Sequence, residues 1–85
     1  MSAALQEYDS VRVAKLLLTA REFSGTGGVS RPPMVGDLAI ICHQYEPRDP
    51  TATVAVEMVN PDGMTVWLAD FAPDELEFVS RPTKE

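Results

Sequence analysis

The chain has 85 residues, of which 45% are hydrophobic and 24% are charged, and this length suffices for one compact domain but not for two separate cores. Thirteen acidic against seven basic side chains give a net charge of -6, which opposes binding to a phosphate backbone, so we expect no nucleic-acid partner. The single cysteine, Cys42, excludes an intramolecular disulfide and favours a cytoplasmic location.

The first predicted strand begins at Tyr8, after an N-terminal segment, residues 1–7, that we expect to be flexible. Val11 and Val13 alternate with polar or small residues, which is the two-residue period of a half-buried strand. We expect this strand to continue to about Leu17.

A helix over residues 11–20 is the alternative for this region, because its lysine and three consecutive leucines suit a helix equally well. The apolar run 13–20 contains Lys15 and is followed by two charged residues. We therefore expect neither a membrane-spanning segment nor a targeting signal.

A long loop separates the first two predicted strands. Residues 23–35 contain three glycines within four positions and two adjacent prolines, which disfavour regular structure. The whole connection, residues 19–35, is long for so small a domain, and such loops are often functional or mobile. Residues 38–45 then form a strand that is apolar on both faces, and we expect it to be covered on two sides.

The next two predicted strands form a tight hairpin around the turn Asn60-Pro61-Asp62-Gly63. Proline fixes the first turn position and glycine accepts the left-handed one, which is typical of a short hairpin loop with a bulge. Five apolar side chains are assigned to the core: Val54, Val56 and Met58 from residues 53–59, and Val66 and Leu68 from residues 64–69.

The last part of the chain supplies a helical turn and a closing strand. Residues 72–76 predict a single 3₁₀ turn, because a proline and two acids suit its N-terminal end. Residues 77–79 form a short edge strand, and residues 80–85 form a flexible tail. The elements together predict an all-β domain, a small five-stranded SH3-like barrel over residues 8–79 with a long first loop.

Four short motifs are spread over this domain: Tyr8-Asp9-x-Val11-x-Val13, Gly36-Asp37-Leu38, Val56-Glu57-Met58-Val59 and Asp74-Glu75-Leu76. Together they resemble a family of small bacterial SH3-like barrels that is catalogued as a domain of unknown function. The chain departs from that family at Ala39, where a second glycine is usual, and in its longer connection 19–35. The resemblance implies the fold, a cytoplasmic bacterial setting and an accessory role sometimes linked to mobile elements. It implies no catalytic residue.

Reactive side chains are sparse in the sequence. Cys42 and His43 are adjacent on a predicted strand, so their side chains point to opposite faces and do not form a nucleophile and base pair. One cysteine and one histidine do not make a zinc site. We expect the glycine-rich loop, residues 25–28, to be a flexible connection, and the alternative is that its neighbours Arg21 and Arg31 clamp an anionic ligand. We assign no catalytic, cofactor-binding or metal-binding residue.

Acidic side chains cluster between residues 46 and 77, which contain eight of the thirteen acids but one of the seven bases. We expect an acidic face that includes the following residues: Asp62, Asp70, Asp74 and Glu75. Such a face attracts a basic partner or a neighbouring subunit, and the alternative is a solvated surface that keeps the chain soluble.

An aromatic surface is the second predicted interaction feature. If Val66 and Leu68 fill the core, Trp67 faces outward, where its indole needs a covering partner. Tyr45 and Ile41 also need cover in this arrangement. We therefore expect an interaction surface formed by Tyr45, Trp67 and Ile41, covered by a second subunit or another protein.

These features favour a non-enzymatic protein-interaction or self-association module without a cofactor. The alternative is an enzyme or small-ligand binder whose site lies between subunits, as in the plasmid-borne dihydrofolate reductases, which are also small SH3-like barrels. Those enzymes use a Val-Gln-Ile-Tyr stretch on a late strand, where this chain has Val66-Trp67-Leu68-Ala69.

Overall fold

The computed structural model describes residues 5–18 and 20–82. Its elements are β1 Ser10–Val13, β2 Leu38–Gln44, β3 Val54–Val59, β4 Thr65–Phe71, a 3₁₀ turn Pro73–Glu75, and β5 Leu76–Ser80. The predicted all-β class and the single 3₁₀ turn before the last strand are confirmed. Within the described ranges, no helix has the length and apolar character needed to cross a membrane.

All five strands form one antiparallel sheet in the order β4-β3-β2-β1-β5. Strands β1 to β4 pair in chain order, and β5 returns to pair with β1. No ladder joins β4 to β5 in the described part of the chain. The sheet therefore fits the predicted barrel-like layout but is not closed.

The hydrophobic core lies on one face of this sheet, because successive side chains of a strand point to opposite faces. Its buried members are Val11, Val13, Ala39, Ile41, Val54, Val56, Val66, Trp67, Ala69 and Phe71. Leu5, Met58 and Leu76 are partly buried and pack against it. The predicted core positions Val54, Val56 and Val66 are confirmed, and Met58 lies at the border.

Strand β1 ends at Val13, four residues before the predicted end near Leu17. The backbone N–H groups of Ala14 and Lys15 both donate to the carbonyl oxygen of Glu75, at 2.8 and 3.3 Å, instead of continuing the ladder. The alternative of a helix over residues 11–20 is wrong as well, because the described residues after β1 are irregular.

Strand β2 is covered on one face, and the prediction of two-sided cover is wrong. Ala39 and Ile41 point into the core, whereas Leu38 is 55% exposed and Ile40 is 44% exposed. The apolar run of β2 therefore supplies one core face and one exposed apolar face.

The predicted turn between β3 and β4 is confirmed. Gly63 has a φ of 84°, the left-handed region that favours glycine, and its N–H donates to the carbonyl oxygen of Asn60 at 2.9 Å. The Asn60 side-chain oxygen accepts hydrogen bonds from the N–H groups of Asp62 and Met64, at 3.0 and 2.9 Å. These two hydrogen bonds stabilise the turn conformation.

Strand β4 has the opposite phase to the predicted one. The register places Met58 opposite Trp67 but Val59 opposite Thr65, so Val66 has no partner and forms a bulge. Beyond that bulge Trp67 points into the core and Leu68 points outward. The expected core position of Leu68 and the expected outward position of Trp67 are both wrong.

The long loop covers the outer edge of β4. Ser24 and Leu68 exchange two backbone hydrogen bonds of 3.0 and 2.7 Å, and the Arg31 N–H donates to the carbonyl oxygen of Val66. Gly25 permits this approach, since a Cβ there would lie 2.6 Å from the Val66 oxygen. With that edge covered, β5 is the edge strand that has no second partner strand among the described residues.

The two predicted flexible segments, 1–7 and 80–85, lie partly outside the described residues, since residues 1–4 and 83–85 are not described. Of the described part, Leu5 packs against the core, and Ser80 belongs to β5. Arg81 donates through Nε and Nη2 to the carboxylate of Asp9, at 2.7 and 2.9 Å.

Candidate functional site

The predicted aromatic surface of Tyr45, Trp67 and Ile41 is not assembled. Trp67 and Ile41 are fully buried in the core at 0% exposure, whereas Tyr45 is 51% exposed. Residues of the same chain bury Trp67, and the centroid of its ring lies 5.4 Å from that of Phe71. Two of the three residues are therefore core residues.

Tyr45 contacts Asp70, one residue of the predicted acidic face. Its hydroxyl donates to Oδ1 of Asp70 at 2.6 Å, and the edge of its ring meets His43 at 5.1 Å between centroids. The hydrogen bond to Asp70 raises the pKa of Tyr45, because it stabilises the protonated phenol. Tyr45 directly follows the last residue of β2 and Asp70 belongs to β4, so this hydrogen bond spans the intervening strand β3.

Three of the four predicted acidic-face residues are exposed: Asp62, Asp70 and Asp74. The fourth, Glu75, is 1% exposed, so its predicted place on that face is wrong. It lies in the interior, where Arg21 neutralises it.

The Glu75 carboxylate has a full set of donors. Oε2 accepts Nη2 of Arg21 at 2.5 Å and the Leu17 N–H at 2.9 Å, while Oε1 accepts the Ala72 N–H at 2.9 Å. Burial on its own raises the pKa of Glu75, but these hydrogen bonds outweigh burial and bring the pKa below its usual range. Glu75 therefore anchors the segment that follows β1 to the 3₁₀ turn.

The predicted anion clamp of Arg21 and Arg31 is wrong, because both cations are paired with carboxylates of the chain. Arg31 donates through Nη1 and Nη2 to Asp37, at 2.8 and 2.9 Å. Burial raises the pKa of Asp37, but hydrogen bonds from Arg31, the Met34 N–H and the Trp67 indole lower it by more than burial raises it. The net result is a pKa below the ordinary value.

Cys42 and His43 lie where the pairing of β2 with β3 is irregular, since the register shifts between Ile41 and His43. The Cys42 thiol donates to the Ala55 carbonyl oxygen at 3.4 Å, and burial, followed by the nearby Glu57 charge, raises its pKa. The His43 side chain is exposed, with Nδ1 3.4 Å from Oε1 of Glu7. Among the described residues, no three histidine, cysteine or acidic side chains are grouped to bind a metal.

The side of the sheet that faces away from the core carries a feature that the sequence reasoning missed. We call it the outer face, and it is defined by five exposed apolar side chains: Leu38, Ile40, Val59, Leu68 and Val79. The unbroken apolar run of β2 was the available signal for it. Such a run also fits a strand that is buried on both faces, so the sequence alone does not distinguish the two cases.

Four of these side chains surround one shallow depression of about 310 Å³, which is lined by Leu38, Ile40, Val59, Val79, Ser10, Glu57 and Ser80. Beside it, Arg12 and Glu77 form an exposed ion pair of 2.9 Å between β1 and β5. The outer face thus combines an apolar centre with a rim that carries both signs of charge.

The stretch Val66-Trp67-Leu68-Ala69, compared above with the reductase motif, contributes a single exposed side chain, Leu68, to the surface. Searches against protein-family models, curated proteins and solved structures gave no match to this chain.

Proposed function

We propose that this chain is a non-enzymatic protein-interaction module that self-associates through the outer face. The observation that carries the proposal is the set of exposed apolar side chains on β2, β3, β4 and β5, which has no covering element in the described part of the chain. An apolar patch of this kind with a polar rim is typical of a protein-protein contact.

The rim of the outer face supports a second copy of the chain as the partner. A two-fold contact brings identical surfaces together, so a patch must be complementary to itself. Arg12 and Glu77 lie side by side and are both exposed, so each can approach the opposite charge of the other copy. A purely acidic rim would instead repel its own copy.

The charge of the whole chain gives the self-association a characteristic salt dependence. Each copy carries a net charge of -6, so two copies repel at long range while the apolar centre attracts at contact. Added salt screens the repulsion and strengthens association. A basic protein partner, attracted by the acidic side, shows the reverse dependence.

Sedimentation velocity over a concentration series tests the proposal with one substitution. Ile40 lies opposite Glu57 in the sheet, so Ile40→Lys gains a cross-strand partner of opposite charge and preserves the fold while placing a charge in the apolar centre. We expect this substitution to weaken self-association at least about tenfold, which is about 1.4 kcal/mol.

Val35→Lys is the matched control, because Val35 is an exposed apolar residue of the loop and lies outside the outer face. It is expected to sediment like the unsubstituted chain. A chain that stays monomeric at about 1 mM, where even weak contacts are populated, would overturn the proposal. Equal effects of the two substitutions would also contradict it.

A further inference from the structure

Arg21 has side-chain donors that no described residue of the chain accepts. Its side chain is 8% exposed, and the guanidinium carbon lies 4.0 Å from the centre of the Phe71 ring. Nη2 donates to Glu75, but neither Nε nor Nη1 has a hydrogen-bond partner in the described part of the chain. Buried donors without an acceptor are destabilising, so an acceptor from outside the chain would be stabilising here.

Arg21 borders an apolar depression next to the long loop. The depression measures about 260 Å³ and is lined by Leu16, Leu18, Ala20, Arg21, Phe23, Pro32 and Pro33. Ligand pockets of small molecules start at about 300 Å³, so this volume suits one apolar side chain with its flanking amide. None of the lining residues belongs to the outer face, so the site is distinct from the proposed interface.

The charge balance around Arg21 determines which acceptor fits. Glu75 already neutralises the guanidinium, and both of its carboxylate oxygens are occupied by donors. A second carboxylate would lie close to Glu75 in a poorly solvated place, where like charges repel strongly. A neutral carbonyl oxygen accepts the hydrogen bond without this repulsion.

We infer that this depression binds an uncharged apolar peptide segment, with an aliphatic side chain against Phe23 and the prolines and a backbone carbonyl accepting from Nε or Nη1 of Arg21. Both nitrogens are covered in the free chain. The described residues 18 and 20–23 make no backbone hydrogen bond to the rest of the described chain, so these residues can shift to admit the peptide.

The test is a nuclear magnetic resonance titration of the full, ¹⁵N-labelled chain that follows the Nε–H signal of Arg21. The probe is N-acetyl-leucine N-methylamide, which supplies a leucine side chain between two neutral amides. We expect it to shift the Arg21 Nε–H signal and the backbone signals of residues 16–18 and 20–23. N-acetyl-leucine, which has the same side chain but a carboxylate, is expected to bind at least about tenfold more weakly.

Phe23→Ala removes part of the apolar wall and leaves the Arg21 pair in place, so it is expected to abolish the shifts. Met34→Ala is the matched control, because Met34 is an exposed apolar residue of the same loop outside the depression. The amide and acid comparison on the unsubstituted chain is independent of how either variant folds.

An unshifted Arg21 Nε–H signal at about 50 mM amide would overturn the inference, because this concentration populates even very weak complexes. Equal or tighter binding of the acid would also overturn it. So would full binding of the amide by a folded Phe23→Ala chain. None of them bears on self-association through the outer face, which sedimentation measures separately.

Discussion

The indole N–H of Trp67 donates a hydrogen bond of 2.9 Å to Oδ2 of Asp37. This contact joins the largest buried side chain of β4 to the residue that precedes β2. The same carboxylate accepts two hydrogen bonds from Arg31 and one from the Met34 N–H. Asp37 therefore connects the core to the loop that covers the β4 edge.

Trp67→Phe keeps an aromatic ring in the core but removes this donor. Hydrogen bonds to charged groups contribute about 1.5–3 kcal/mol, so we expect the free energy of unfolding to fall by about 2 kcal/mol. Urea unfolding followed by circular dichroism measures the change. A loss below about 0.5 kcal/mol, the range of ordinary surface substitutions, would contradict the importance of the Trp67 bond to Asp37.

Glu75→Gln leaves the cation of Arg21 buried without its counter-charge. Breaking a buried ion pair from one side costs about 3–5 kcal/mol, and we expect a loss near the lower value because the amide keeps one acceptor oxygen. Glu77→Gln is the control: its pair with Arg12 is exposed and should contribute no more than about 1 kcal/mol. Thermal unfolding measures the loss of stability in both variants. Equal losses would contradict the interior role of Glu75.

The free energy of unfolding should decrease as the pH is lowered into the acid range. The pKa of Asp9 is lowered by Arg81, and hydrogen bonds also place those of Asp37 and Glu75 below their ordinary values of 3.8 and 4.5. A carboxylate with a lowered folded-state pKa stabilises the fold above its unfolded-state pKa and loses that contribution as pH falls through the folded-state pKa.

We therefore expect the free energy of unfolding to be nearly constant from neutral pH to about pH 5 and to decrease below it. Urea unfolding at a series of pH values checks this expectation. Asp9→Asn removes one of the three carboxylates, and its curve should fall less steeply in acid. A stability that rises between pH 5 and pH 3 would have the wrong sign for this explanation.

Gly63→Ala isolates the effect of backbone conformation. A Cβ at Gly63 meets no atom within 4 Å, but the φ of 84° strains any side chain by about 1 kcal/mol. Gly27→Ala is the matched control, because Gly27 also has open space but not the positive φ. Chemical denaturation should show a loss for the first variant and little change, or a small gain, for the second.

The parts of the fold that the sequence predicts well are those with local causes. Asn60 to Gly63 form the expected turn because the proline and the glycine each favour one backbone conformation. Pro73 and the two acids after it mark the 3₁₀ turn for the same kind of reason. Such signals need no knowledge of the rest of the molecule.

The parts that the sequence did not predict depend on contacts between distant residues. A bulge at Val66 reverses the phase of β4, and nothing in the alternation of its apolar residues marks that position, because Val66, Trp67 and Leu68 are all apolar. Arg21 and Glu75 are 54 positions apart, so the sequence pattern alone does not pair them. The outer face was missed because one apolar run fits both a buried strand and an exposed one.

The ion pair of Asp9 and Arg81 sets a condition on how the chain folds during synthesis. Asp9 is fully buried, and its cation lies 72 positions later in the sequence. Strand β1 also needs one partner from the middle of the chain and one from its last strand, since it lies between β2 and β5. A nascent chain that lacks β5 and Arg81 would bury an unpaired carboxylate, which is costly. The domain therefore completes its fold only after Arg81 has left the ribosome.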